Sequence, residues 1–213
     1  MTLHHETITD EMSAVAKVVF DSLDSDYYLA GGTALALRLG HRKSVDLDYF
    51  INKYIDTTSL KSCITEIFPF VTIQFLFEEK NTLWCSINGV KVSFISRFDA
   101  LLEPVEVVKH FRLASIKDIT VMKLSAICSR EEYKDYFDLA CLAGITDARS
   151  WAEWWDVAYP QADATSFIVA LAYVDTILPV SLDIFDAYID VDVKKILSAA
   201  TREITKSIST TAV

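Results

Sequence analysis

The chain has 213 residues, 52% of them hydrophobic, and a formal net charge of −10 at pH 7. This length suits one domain or two small lobes, and the apolar share provides a core, which excludes a disordered chain. The acidic balance argues against non-specific binding to duplex DNA. Residues 1–6 lack the basic region of a signal peptide, and the longest apolar run, 167–174, is too short for a membrane helix. We therefore expect a cytoplasmic protein without a membrane partner.

The first predicted elements are a helix and a short strand. Apolar residues recur at helical spacing over residues 9–23, and residues 27–30 combine aromatic and apolar side chains in a strand-like run. Gly31 and Gly32 come next, and neither has a Cβ that would hinder a tight turn or the close approach of a ligand. The sequence thus predicts a strand followed by a sharp turn.

A second helix is predicted over residues 34–39, directly after this turn. Thr33 is a suitable N-cap, and Gly40 is a suitable stop. The free N–H groups at the start of such a helix bind phosphate readily. The glycine turn therefore indicates a phosphate-binding site.

Two carboxylates follow on a predicted strand over residues 44–51. Side chains alternate along a strand, so Asp46 and Asp48 share one face. Two aligned carboxylates repel each other unless a cation lies between them, and Mg²⁺ takes one or two carboxylates together with phosphate oxygens. A phosphate-binding turn beside a pair of Mg²⁺-binding carboxylates is the minimum that transfer of a nucleotidyl group requires.

The rest of the chain divides into strands and then helices. The predicted elements are a helix at 59–68, strands at 71–77, 83–87 and 90–95, and helices at 116–127, 132–143, 164–177 and 184–204. Asn88 and Gly89 suit a type I′ hairpin turn, and Ser115 with Asp118 forms a capping-box-like helix start. The fold class we expect is α+β, with a mixed sheet flanked by helices in residues 1–110 and a helical lobe in residues 111–213.

These motifs resemble the DNA polymerase β-like nucleotidyltransferases, and within them the AbiEii/AbiGii toxin family, which includes the MenT-like toxins. The resemblance rests on residues 31–38, on residues 41–50 and on a later block that contains Lys123 and residues 130–139. The fold it implies is a polymerase β-like nucleotidyltransferase lobe followed by a helical lobe. It also implies an NTP substrate, tRNA as acceptor, a Mg²⁺ cofactor and a cognate antitoxin as partner.

The resemblance assigns roles to specific residues of this chain. Asp46 and Asp48 would hold the metal and, with Lys123, Asp135 and Asp138, form the catalytic group, in which Asp138 or Asp135 orients the substrate or acts as base. The residues expected to contact the NTP lie on both sides of the metal pair and in the later block: Gly31, Gly32, Thr33, Arg38, Arg42, Ser44, Lys123, Arg130 and Lys134.

Several of these roles have structural alternatives. The strand at 90–95 offers Ser93 where many polymerase β-like enzymes have a third carboxylate, which favours one Mg²⁺ plus cationic side chains. Lys123 and Asp138 can form an ion pair that only ties two helices together. Arg38 either braces Asp48 or contacts substrate, and a loop residue such as Arg42 is more often a solvated charge.

Three tryptophans, Trp151, Trp154 and Trp155, are spaced to share one helical face. Core packing is the first interpretation of such a stripe. The alternative is a stacking platform for a base or a docking surface for a partner.

The function predicted is Mg²⁺-dependent transfer of a nucleotidyl group from NTP to tRNA by a toxin of a toxin–antitoxin or phage-defence system. The first alternative keeps the site and changes the acceptor to a protein hydroxyl that receives AMP or phosphate. The second alternative is a catalytically silent module that docks a partner.

Overall fold

A computed structural model describes residues 2–211 of the chain. Its contacts divide the chain into two units, one formed by Met1–Asp99 and Pro104–Ala114, the other by Ala100–Glu103 and Ser115–Val213. The lobe limits expected from the sequence stay a prediction, and Met1, Ala212 and Val213, which those lobes include, lie outside the described residues. None of the described helices is long and apolar enough to cross a membrane.

The first unit is built on one mixed sheet. Within the described residues the sheet has seven strands in the order β3-β4-β5-β2-β1-β7-β6. The strands are β1 (Tyr28–Leu29), β2 (Asp46–Ile51), β3 (Ile73–Glu79), β4 (Thr82–Ile87), β5 (Val90–Ser96), β6 (Glu106–Val108) and β7 (Phe111–Leu113). β2 pairs with β5 in parallel and with β1 antiparallel, so the strand of the two aspartates lies inside the sheet.

Among the described residues of this unit, three α-helices accompany the sheet: α1 (Asp10–Ser22), α2 (Gly31–Leu39) and α3 (Thr57–Ile67). The alternate residues Leu47, Tyr49 and Ile51 of β2 are buried, as are Leu83 and Cys85 of β4, and they form one apolar face of the sheet. The hairpin at Asn88-Gly89 is confirmed, with φ of 50° and 82° at the two residues. Such positive φ values are those of a type I′ turn.

The second unit is helical. Its helices are α4 (Ile116–Ser129), α5 (Tyr133–Ala143), α6 (Trp151–Ala158), α7 (Thr165–Ala172) and α8 (Val193–Thr211). The predicted start of α4 is confirmed, because Ser115 Oγ accepts a hydrogen bond from the Asp118 N–H at 3.1 Å. Trp151 and Trp155 are buried and donate their indole N–H groups to Thr146 and Ala162 within this unit, which supports the core interpretation for these two.

Two predicted helices of the helical unit differ from the structure by several residues. The helix expected over 164–177 ends at Ala172 and continues as a 3-10 turn, Tyr173–Thr176. The helix expected from residue 184 begins only at Val193, because the Asp192 carboxylate accepts the Lys195 N–H at 3.0 Å and caps the helix there. Apolar periodicity extended the prediction across this start signal.

Candidate active site

The two aspartates of β2 lie on the same face of the sheet, as predicted. Asp46 and Asp48 are partly exposed, whereas Leu47 between them is fully buried on the opposite face. The strand pleat therefore holds two carboxylates side by side at an accessible surface. Such a pair supplies hard oxygen ligands of the type that Mg²⁺ binds.

β5 supports this pair from the neighbouring strand. Ser93 is in register with Asp48 and donates a hydrogen bond from Oγ to Asp48 Oδ1 at 2.6 Å. Lys91 is in register with Asp46 and is exposed. The position considered for a third carboxylate thus carries a serine that orients Asp48, and a cation lies beside Asp46.

The glycine turn lies directly against Asp48. Gly31 has φ of +67° and opens α2, and a Cβ built on it would lie 3.1 Å from Asp48 Oδ2. The N–H of Ala30 donates to the Asp48 carbonyl at 3.1 Å. A side chain at residue 31 would fill the space beside the carboxylate, and glycine leaves this space open. The start of α2, a type of helix terminus that favours anions, is therefore next to the paired carboxylates.

Gly32 allows the Arg42 guanidinium to lie close to the start of α2. A Cβ on Gly32 would lie 2.5 Å from Arg42 Nη2. Arg42 is buried, and its Nη1 donates to the Lys43 carbonyl at 3.0 Å. The expectation that Arg42 is a solvated charge is therefore wrong, because its guanidinium packs under the glycine turn.

Thr33 does not cap α2. The helix begins at Gly31, its N-cap position is Ala30, and Thr33 is fully buried inside the first turn. The Thr33 hydroxyl hydrogen-bonds to Ser44 Oγ at 2.7 Å and donates to the Asp46 carbonyl. Thr33 and Ser44 therefore tie the start of α2 to the start of β2, which fixes the glycine turn relative to the carboxylates.

Arg38 takes part in an ion pair at the far end of α2. Its Nη1 lies 3.1 Å from Glu106 Oε2, and its Nε donates to the Ala114 carbonyl at 3.0 Å. The Arg38 side chain is buried, whereas the Glu106 side chain is partly exposed. These contacts hold α2 to the segment of β6 and β7, a structural arrangement that the two sequence-based alternatives for Arg38 did not include.

The later block forms a buried charge cluster in the helical unit. Lys123 Nζ on α4 lies 2.7 Å from Asp135 Oδ1 and 2.6 Å from Asp138 Oδ2, both on α5. Arg130 Nε lies 2.8 Å from Asp135 Oδ2, while Lys134 Nζ lies 2.9 Å from Glu132 Oε2. The structure therefore contains the ion pairs of the structural alternative. The catalytic roles of these residues stay predictions.

The charges of this cluster stabilise one another against the cost of burial. Burial alone would raise the pKa of Asp135, but the charges and hydrogen bonds of Lys123 and Arg130 outweigh it and hold that pKa below its ordinary value. Burial likewise disfavours the charged form of Lys123, yet Asp138 and Asp135 raise its pKa above the ordinary value. Both residues are therefore charged at neutral pH.

The donor set fits a single divalent cation bound in part by phosphate. Among residues 2–211, no group of three or more histidine, cysteine, aspartate or glutamate side chains is arranged to hold a metal. Asp46 and Asp48 supply two carboxylates, and the bare Cα of Gly31 leaves room beside them. Two carboxylates completed by substrate oxygens match the preference of Mg²⁺, which keeps few protein ligands.

Sequence reasoning missed Lys91 as a residue of this face. Its alternation with the buried Val90 and Val92 was a signal that it points outward. Its position beside Asp46 depends on the parallel pairing of β5 with β2, which no local pattern reveals.

Comparison with known structures agrees with this fold. The structure is similar to JHP933 from Helicobacter pylori, with 19% identity, coverage of 96% of this chain and 98% of that chain, and a TM-score of 0.52. It is also similar to MenT4, a nucleotidyltransferase toxin from Mycobacterium tuberculosis H37Rv, with 15% identity, coverage of 91% and 82%, and a TM-score of 0.55. The expected α+β fold, a mixed sheet flanked by helices and followed by a helical unit, is confirmed, and MenT4 shares it.

The family follows from the sequence match. Residues 14–164 match the family described as nucleotidyl transferase AbiEii toxin, type IV toxin–antitoxin system, and the chain therefore belongs to this family. An uncharacterized protein of Aquifex aeolicus (strain VF5) is 37% identical over 134 residues. That match covers 61% of this chain and 64% of the relative, so the chain spans less than two thirds of the relative's length.

Proposed function

We propose that this chain is a Mg²⁺-dependent nucleotidyltransferase that moves a nucleotidyl group from an NTP to an acceptor hydroxyl. The observation that carries the proposal is the start of α2 lying against the paired carboxylates: the Gly31 Cα faces Asp48 Oδ2, and Asp46 lies on the same strand face. Phosphate and divalent cation are thus accommodated side by side. Membership of the AbiEii family supports the same activity.

The chemistry is an in-line displacement at the α-phosphate. The acceptor oxygen forms a bond to the α-phosphorus, the bond from that phosphorus to the bridging oxygen breaks, pyrophosphate leaves with the electron pair, and the hydroxyl proton passes to water. Asp46 and Asp48 would hold Mg²⁺, which when bound neutralises charge on the phosphates. The N–H groups at the start of α2 bind the triphosphate, and Ser93 keeps Asp48 oriented through the 2.6 Å hydrogen bond.

The charge cluster contributes indirectly in this proposal. Lys123 Nζ is engaged by the carboxylates of Asp135 and Asp138, so the three side chains hold α4 and α5 together. Arg130 pairs with Asp135 and Lys134 pairs with Glu132, and both side chains are partly exposed.

The acceptor in this proposal is tRNA, the site of action is the cytoplasm, where NTP and tRNA are both present, and the protein partner is a cognate antitoxin. Family resemblance supports the acceptor, and the family's description as a type IV toxin–antitoxin component supports the partner.

The test is transfer of label from each α-labelled NTP in turn, with Mg²⁺ and either total tRNA or cell lysate. Label in RNA that requires Mg²⁺ is the expected result. Label in a protein band instead would move the acceptor to protein, and binding of NTP without any transfer of α label would contradict nucleotidyl transfer.

A further inference from the structure

An exposed aromatic pair lies in the same cross-strand row as Asp48. Ser93 on β5 is in register with Asp48 on β2, Trp84 on β4 is in register with Ser93, and Phe77 on β3 is in register with Trp84. Residues in register point to the same face of a sheet. The row therefore runs from the proposed metal carboxylate to two aromatic side chains on one continuous face.

The two aromatic rings are open to solvent and contact each other. Trp84 is 47% exposed and Phe77 41% exposed, with ring centroids 4.9 Å apart. Neighbouring strands are about 4.8 Å apart, so the β4 backbone lies ~10 Å and the β3 backbone ~14 Å from β2. The two aromatic residues therefore lie two and three strands away from the carboxylates on the same face of the sheet.

The strand order puts this pair on the side opposite the phosphate-binding turn. β1 and the start of α2 adjoin one side of β2, while β5, β4 and β3 adjoin the other. In an in-line displacement the entering and leaving oxygens lie on opposite sides of the phosphorus. When the leaving pyrophosphate lies at the start of α2, the acceptor hydroxyl comes from the β5 side, where Ser93, Lys91 and Trp84 lie.

We infer that Trp84 and Phe77 form a stacking platform for a base of a single-stranded nucleic-acid acceptor, with Lys91 as the contact for its phosphodiester backbone. Bases stack on aromatic side chains whatever their sequence, and a nearby cation serves the backbone. Lys91 is exposed and lies on the same face, in register with Asp46 and Ser86. The inference rests on the proposed function, because that activity sets the direction from which the acceptor enters.

The chain offers a matched control on the same strand. Phe75 on β3 is 42% exposed, as Phe77 is, but it is in register with the buried Cys85 and lies on the opposite face, where Lys61 of α3 is 5.9 Å from its ring. Phe75→Ala and Phe77→Ala therefore remove the same side chain at the same exposure, and only one of them affects the face of Asp48.

The experiment measures binding of a labelled, mixed-sequence, single-stranded oligoribonucleotide by fluorescence anisotropy, without NTP. Trp84→Ala and Phe77→Ala are expected to weaken binding roughly 5-fold to 150-fold each, Trp84→Phe to restore most of it, and Phe75→Ala to leave it unchanged. Lys91→Ala is expected to lower the slope of log affinity against log salt by about 0.7, the loss of one phosphate contact. The KM for NTP stays that of the wild type in the aromatic variants.

Other results would overturn the inference. Equal affinity of Trp84→Ala and wild type for the oligoribonucleotide would rule out the stacking platform. A raised KM for NTP with unchanged oligoribonucleotide binding would mean that the base of the NTP stacks there instead. Transfer of label to a protein would contradict the nucleic-acid acceptor of this inference and would leave the proposed nucleotidyl transfer intact. Binding that depends on Trp84 without any transfer of label would retain the platform and contradict the proposed function instead.

Discussion

Replacing Lys123 by methionine tests the buried charge cluster most sharply. The side chain keeps its length but loses the charge that lies 2.7 Å from Asp135 and 2.6 Å from Asp138, two carboxylates with fully buried side chains. Arg130 still pairs with Asp135 at 2.8 Å, so the main loss is the charge opposite Asp138. Removing one partner of a buried ion pair costs about 3–5 kcal/mol of unfolding free energy.

The assay is thermal and urea unfolding, and it includes a control lysine. For a chain of this size the loss corresponds to a fall in Tm of roughly 6–20 °C. Lys17→Met removes an exposed partner of Asp21 at 2.6 Å, and such a surface pair is worth less than about 1 kcal/mol. Equal losses for Lys123→Met and Lys17→Met would refute the structural role of the cluster.

The same pair of variants gives a pH dependence of defined sign. The pKa of Asp135 is lowered in the folded state, so its contribution is complete above the ordinary carboxyl pKa of about 3.9 and is lost as the pH falls through the lowered value. The pKa of Lys123 is raised, so its contribution is complete below about 10.4 and is lost as the pH rises through the raised value. The stability difference between wild type and Lys123→Met should therefore be greatest near neutral pH and shrink at both extremes.

Two further predictions concern the carboxylate pair. Gly31→Ala places a Cβ 3.1 Å from Asp48 Oδ2 at φ of +67° and should abolish most transfer, whereas Gly89→Ala, at φ of +82° with no atom within 4 Å of the new Cβ, should keep it. Both carry about 1–2 kcal/mol of backbone strain, so similar unfolding curves with equal transfer rates would contradict the role given to Gly31. Ser93→Ala removes the hydrogen bond to Asp48 and should raise the Mg²⁺ concentration for half-maximal transfer about 10–100-fold. An unchanged Mg²⁺ titration would show that Asp48 needs no such support.

The local sequence was sufficient to predict the tight turn at the glycines and the shared face of the two aspartates. Gly31 and Gly32 have no Cβ, and alternation along a strand puts Asp46 and Asp48 on one face, so both features follow from chemistry within a few residues. The hairpin at Asn88 was equally predictable, since the turn requires positive φ. These predictions depend on no distant contact.

The parts that sequence reasoning missed depend on distant contacts or competing signals. The alignment of Ser93 and Trp84 with Asp48 requires the pairing of β5 with both β2 and β4, and Ser93 is 45 positions from Asp48. Thr33 has the local pattern of a helix cap. In the structure its hydroxyl donates to the Asp46 carbonyl instead, and the helix begins at Gly31. The apolar periodicity predicted a helix from residue 184, but the Asp192 carboxylate caps the helix and fixes its start at Val193.

The most direct test of nucleotidyl transfer at this site compares α-labelled with γ-labelled NTP in the wild type and in an Asp46→Asn/Asp48→Asn variant. Asp24→Asn/Asp26→Asn is the matched control, since these exposed aspartates have the same spacing and pair with Lys53 at 2.9 and 2.6 Å. We predict that α label enters the acceptor with wild type and control and is lost with Asp46→Asn/Asp48→Asn. Entry of γ label, or continued transfer of α label by that variant, would contradict nucleotidyl transfer at this site.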